Sequence, residues 1–275
     1  MSGNIGITNV LVVIDPTEKE QYALKRALMM NELLKGGVKI HLFITVENEK
    51  LYDLMDADDV HCDSVWLESL TKPLTSKNID HTAEVVWTGN WHSSILEASK
   101  RHNVDMIILS DYRDKRGFTD LSASKWALLR GSLCPILIVD PSSQMVRKTV
   151  LAAVNLQTND PRHAALNKNI LRIAGILAND YGAELHIVNG YDKSENFPDR
   201  AMLIRESGAK QENIHVEIGD PVDLIDGIAK KIDADVVVIG TIARKGVLAA
   251  MRGNKSEHII HKMNRDVMVI NSSAE

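Results

Sequence analysis

Four cations and no carboxylate lie between Gly240 and Ser256, in a chain whose net charge is −5. They are Arg244, Lys245, Arg252 and Lys255, interspersed with Gly240, Gly246 and Gly253. Glycines in such a segment let backbone N–H groups come close to phosphate oxygens, and a helix that follows adds the positive end of its dipole. Cations near a helix N-terminus are unfavourable by about a few tenths of a kcal/mol unless an anion is present. The pattern therefore points to an anion site. Its competitor is a solvated basic surface, because exposed charges cost little.

Other chemistry-bearing residues are less well grouped. His258 and His261 stand at i, i+3 with no cysteine to complete a zinc set, and His61, Cys62 and Asp63 are adjacent, which is poor chelate geometry. No metal is expected. Ser93 and Ser94 have no base in their sequence context, and there is neither a Walker A sequence nor an S-G-G-x-D-S loop. The sequence offers no strong case for catalysis.

A chain of 275 residues with 44% hydrophobic and 25% charged residues has globular composition and, at about 150 residues per domain, room for two domains. An acidic net charge argues against binding nucleic-acid backbones over a broad face. Two cysteines, Cys62 and Cys134, are too few for a disulfide scaffold and fit a reducing compartment as unpaired thiols. The opening residues lack the pattern of a signal peptide, and no apolar stretch nears the roughly 18 to 20 residues that cross a bilayer. A cytoplasmic location is expected, with no membrane partner. Trp66, Trp87, Trp91 and Trp126 all fall in the first half, where they are expected in the core.

The elements that must hold these residues come in two sets. NVLVVIDPTEKEQYALKRAL returns as TVLAAVNLQTNDPRHAALNKNIL, VDMIILS as ADVVVIG, and CPILIVD as RDVMVIN, at offsets of about 130 to 140 residues. That offset is the size of a domain. One domain duplicated predicts units over 1–141 and 147–275, joined by the polar, turn-forming stretch Asp140 to Lys148. Each copy carries five apolar runs of the kind buried on both faces of a parallel sheet: Val10 to Ile14, Val38 to Thr45, Ala83 to Trp87, Met106 to Leu109 and Ile136 to Val139, then Val150 to Val154, Glu184 to Asn189, Ile214 to Ile218, Val236 to Ile239 and Val267 to Ile270. Helical spacing follows each first strand, at Tyr22, Leu24, Ala27, Leu28 and Leu34 and at Leu166, Ile170, Ile173, Ala174 and Leu177. The alternation predicts an α/β fold. Gly219, Asp220 and Pro221, with Gly89, Asn90 and Trp91 as counterpart, read as strand-to-helix turns.

VVIDPTEKEQYALKRAL, AAVNLQTNDPRHAALN and GTIARKGVLAAMRGNKSEHII resemble the universal stress protein family, and within it the tandem, E-type members, over nearly the whole chain. The resemblance implies a five-stranded parallel sheet in each half with helices on both faces, Rossmann-like, and a role in stress survival. Some relatives bind ATP and others do not. The family's phosphate pattern, G, two residues, G, nine residues, G and a hydroxyl residue, falls on Gly240, Ala243, Gly253 and Asn254. Ala243 replaces a glycine at a cost of about 1 kcal/mol if that position needs positive φ. Asn254 remains a good helix N-cap.

By the same resemblance, an acidic residue after the first strand serves the nucleoside. Asp15 keeps it, whereas Asn155 stands there in the second copy, able to donate and to accept. The first-half loop SDYRDKRGFTDLSASKW retains only Gly117 and sets Asp111, Asp114 and Asp120 before a ligand, so the first half is not expected to bind ATP by the family's route. ATP or AMP is the expected ligand of the second domain, with Asn155, Gly240, Ala243, Arg244, Gly246, Gly253, Asn254 and Lys255 as its site. The alternative is a nucleotide-free, pseudo-dimeric module that binds protein partners or a second copy of itself.

Overall fold

The structure, a computed structural model, describes residues 6–47, 63–111, 123–157, 160–242 and 255–272. Its strands are β1 Asn9–Ile14, β2 Lys39–Glu47, β3 His81–Thr88, β4 Met106–Ser110, β5 Ile136–Val139, β6 Thr149–Ala153, β7 Glu184–Tyr191, β8 Ile214–Ile218, β9 Val236–Thr241 and β10 Asp266–Asn271. The helices among the described residues are α1 Tyr22–Leu33, α2 Ser64–Ser76, α3 Trp91–Arg101, α4 Ala123–Gly131, α5 Pro161–Tyr181, α6 Arg200–Ser207, α7 Pro221–Lys231 and α8 Lys255–Lys262. The expected α/β class is what is found.

All ten strands join one sheet, in the order β3-β2-β1-β4-β5-β10-β9-β6-β7-β8. The second half repeats the first in reverse, as a two-fold axis through the middle requires. Pairing is parallel within each half and antiparallel where β5 meets β10, with Val267 opposite Ile138 and Val269 opposite Ile136. The sheet is therefore continuous across the copies, and apolar strands at the ends of both become its centre. Successive side chains point to opposite faces. Val10, Val12 and Ile14 join a core under α1, α2, α5 and α6, while Leu11 joins one under α3, α4, α7 and α8. Each core runs through both halves.

One device recurs in the two copies. Asp105 Oδ2 accepts from the N–H groups of Thr8 at 2.8 Å and Asn9 at 2.9 Å, and Asp235 Oδ2 accepts from Lys148 at 2.6 Å and Thr149 at 2.9 Å. Each carboxylate, set just before its own strand, fixes where the first strand of its half begins.

The connector is polar in composition yet partly buried. Arg147 and Arg26 both reach Asp266 Oδ2, at 2.5 and 3.0 Å, and Asp266 Oδ1 accepts from the Asp140 N–H at 3.1 Å. Arg26 also donates to the carbonyls of Met145 and Gln144 at 2.6 and 2.7 Å. Arg147 lies on the Tyr181 ring at 4.9 Å. Burial, and then Arg147, hold the Arg26 pKa below its ordinary value, against the opposing pull of Asp266.

The tryptophans divide. Trp126 is buried, and Trp66 and Trp91 pack at the edges of the two cores, but Trp87, expected inside, is 57% exposed. It sits on β3, an outermost strand, where one face is left to solvent. Cys134 is a free thiol whose pKa burial raises.

Candidate functional site

In an open α/β sheet the crevice forms beyond the carboxyl ends of strands, where the strand order reverses. In the second half that point lies between β6 and β9, and a cavity of about 870 Å³ opens there. Its floor is apolar, made by Leu166 and Ile170 of α5, Val188 of β7, Ile225 of α7, Ile239 of β9 and Ile259 of α8. Its rim is polar, with Asn155, Gln157, His163, Asn167 and Ser256 among the residues facing it.

Gly240 lies at this cavity with α5 packed close over it. A Cβ there would stand 2.6 Å from Leu166 Cδ2 and 2.9 Å from Ile170 Cδ1. The missing side chain lets α5 settle on the strand end, a packing need that exists whether or not a ligand binds. Ser256 Oγ donates to the Gly240 carbonyl at 2.8 Å and so ties the start of α8 to β9. In the first copy the matching residue is Ser110, whose Oγ accepts from the Ala23 N–H at 2.9 Å. Hydroxyl and helix amide thus meet in the first half where the second has bare backbone.

Asn155 follows β6 in a loop pinned by two buried amides. Asn167 Oδ1 accepts from the Asn155 N–H at 3.0 Å, and its Nδ2 donates back to the Asn155 carbonyl at 2.7 Å. Asn189 Oδ1 accepts from the Leu156 N–H at 2.9 Å. Asn155 itself is exposed, and its Oδ1 accepts from the Gln157 N–H at 3.0 Å, which leaves Nδ2 without a partner among the described residues. The turn reading applies, since Oδ1 closes the turn, and the residue also lines the cavity. Asp15 behaves alike in the first half: its Oδ1 accepts from Thr17 N at 2.9 Å, and Gln21 does the work of Asn167.

The far wall is a strand-to-helix turn. Asp220 caps α7 by accepting from the Val222 N–H at 2.8 Å, with Pro221 at the first helical position. Gly219 and Gly190 let this turn come close, since a Cβ on Gly190 would stand 2.9 Å from Leu224 Cδ1.

Of the site residues expected from sequence, Asn155 and Gly240 meet at this one cavity, and Lys255 opens α8 beside the lining residue Ser256. Ala243, Arg244, Gly246, Gly253 and Asn254 lie outside the described residues, as do Asp114, Gly117 and Asp120 of the first-half loop. Asp111 is described, in an ion pair with Lys125 at 3.0 Å. Asn167, Asn189, Gly190, Ser256 and Arg130 were not singled out from sequence. The signal for two of them is a polar amide inside an apolar pattern: Asn167 between Leu166 and Ile170, and Asn189 after Ile187 and Val188. Among the described residues no cluster could hold a metal ion, and no helix is long and apolar enough to cross a membrane.

The match that decides kinship covers residues 6–140 and 198–271. The chain belongs to the universal stress protein family. This universal stress protein is 25% identical to Universal stress protein E of Escherichia coli (strain K12), over 95% of this chain and 93% of that one. It is 24% identical to the Universal stress protein E homolog of Haemophilus influenzae, over 96% and 97%. A solved structure from Pseudomonas aeruginosa UCBPP-PA14, described as a universal stress protein, superposes with a TM-score of 0.80 at 26% identity, covering 96% of this chain and 93% of that chain. One from Archaeoglobus fulgidus shares the fold, at 0.66 and 18%, covering 96% of each. The universal stress protein here is thus of the tandem type and E-like along nearly its whole length.

Proposed function

We propose that this universal stress protein is a small-ligand sensor whose second half holds an adenine nucleotide, ATP or AMP. The observation that carries the reading is the cavity of about 870 Å³ at the β6–β9 switch point, which lies in the half with the better phosphate loop and takes in both Asn155 and Gly240. That volume lies within the range of about 300–1,000 Å³ usual for small-molecule sites. An apolar floor suits a purine, and Asn155 Nδ2 offers a donor at the rim. The cationic segment from Arg244 to Lys255 follows directly on β9 and would supply the phosphate end. Calorimetric titration of the full chain with ATP, ADP and AMP tests this. Saturable binding of one nucleotide per chain is expected, and no heat at millimolar ligand with folded protein overturns it.

A second reading, an interaction module without nucleotide, is favoured by β3. This strand, outermost among the described residues, exposes Val85 and Trp87 beside a backbone edge that no further described strand pairs with. Light scattering of the chain against Trp87→Ser discriminates. A dimer that the substitution converts to monomer supports this reading, and a monomer in both cases removes self-association from it.

A further inference from the structure

The nucleotide reading leaves one lining residue unexplained, because it comes from the other half. Arg130 is the next-to-last residue of α4, in the first copy, yet it faces the second copy's cavity. It is held there across the two-fold joint. Asn271, the last residue of β10, donates Nδ2 to the Arg130 carbonyl at 2.6 Å, and Trp126, one turn earlier on α4, donates Nε1 to Glu257 of α8. The backbone of Arg130 is thus fixed to the second half while its side chain is exposed.

That side chain is spared for a ligand. Its Nε donates to the Trp126 carbonyl at 3.4 Å, and its guanidinium carbon lies 5.9 Å from the Trp126 ring centroid. No carboxylate pairs with it among the described residues. It is also the one Lys or Arg among the described lining residues. The two carboxylates facing the cavity, Asp192 and Asp220, belong to the opposite end, after β7 and β8, where they accept from Asn196 Nδ2 and the Val222 N–H. The sheet order β10-β9-β6-β7-β8 separates these ends. A ligand lying across the carboxyl ends of the strands meets a cation at the β10 side and acceptors at the β8 side.

We propose that Arg130, carried by the first half, contacts the phosphate of the nucleotide held by the second half. The proposal rests on the nucleotide reading and makes the site a joint product of both copies. It gives the duplication a function: a lone second half would lack this arginine.

The test is calorimetry on the full chain with AMP, ATP and adenosine, using wild type, Arg130→Gln and Arg130→Lys. Loss of a charge-assisted phosphate contact should weaken AMP and ATP by about tenfold in Arg130→Gln and leave adenosine within about twofold, with Arg130→Lys recovering much of the loss. Affinity for AMP unchanged in Arg130→Gln, or adenosine weakened as much as AMP, overturns the assignment while the nucleotide reading stands. No nucleotide binding by the wild type overturns both. Circular dichroism melts keep the comparison among folded proteins, and exposure of the side chain predicts that all three melt alike.

Discussion

Arg147 and Asp266 form a 2.5 Å ion pair with both side chains closed to solvent, at 1% and 0% exposure. The connector between the copies is thereby bolted to the strand that joins their sheets. Arg26 of the first half shares the same carboxylate oxygen, so one acid serves two guanidinium groups from distant parts of the chain. Removing one partner from a buried pair leaves an uncompensated charge, at a cost of about 3–5 kcal/mol. Asp266→Asn, which leaves two, should lose at least that much. Urea unfolding followed by circular dichroism measures it, and a midpoint unmoved by the substitution would show that the cluster contributes nothing.

Gly240 separates packing from ligand contact. An alanine Cβ would meet Leu166 and Ile170 side chains below 3.0 Å, and overpacking of this kind costs about 1–3 kcal/mol. Gly240→Ala should therefore destabilise the chain without any ligand present. Leu166→Ala makes room, so the double variant should lose less than the sum of the two single changes. Strict additivity in denaturant unfolding would mean that the close approach is not what demands glycine here.

The parts of this fold that could be read from sequence are those whose cause is local. Runs such as VLVVI and VVVI are apolar at every position because the sheet is covered on both faces, and they mark strands directly; the strands extend beyond them, to His81 and Thr88 for example, where polar residues still pair. What could not be read depends on partners far apart. Arg26 interrupts an apolar helical stripe and looks like a surface charge, and Arg147 lies in a stretch of turn-forming composition, until Asp266 is brought to both. The continuity of the sheet was likewise hidden, since nothing in CPILIVD or RDVMVIN specifies that they pair with each other, antiparallel. At the site, the duplication exposed Asn155 and Gly240 by alignment with Asp15 and Ser110. Asn167, whose role Gln21 takes from a different place in the first copy, and Asn189 do not emerge from that alignment and appear as breaks in apolar patterns.

Trp126 and Glu257 tie α4 to α8 across the joint. Glu257→Ala leaves the buried indole N–H without that acceptor, at a cost of about 1–3 kcal/mol. Trp126 is 5% exposed and Trp87 is 57% exposed, so acrylamide should quench the two very differently. In Glu257→Ala the protected component of the fluorescence should shrink as the joint loosens. A quenching curve identical to wild type would show that this bond does not close the joint.

His41 gives the fold a dependence on pH. It is 4% exposed on β2, with Nδ1 against Thr82 Oγ1 at 2.7 Å and Nε2 against Asn9 Oδ1 at 2.8 Å. His102 stacks on it at 4.1 Å. Burial first, then the charges of His102 and Lys39, bring its pKa down to about 4, against a weaker upward pull from Asp80. His186 and His215, stacked at 5.4 Å on β7 and β8, are also lowered, chiefly by burial. A histidine whose folded pKa lies below its unfolded value binds its proton more readily in the unfolded chain. Stability from this source is complete above about pH 6.5 and falls as the pH drops towards 4, by up to about 3 kcal/mol for His41 alone. Thermal melts between pH 7 and pH 4 should show the midpoint falling for wild type and falling less steeply for His41→Gln, whose amide can keep one of the two hydrogen bonds. Parallel profiles for the two proteins would assign the acid sensitivity to other groups.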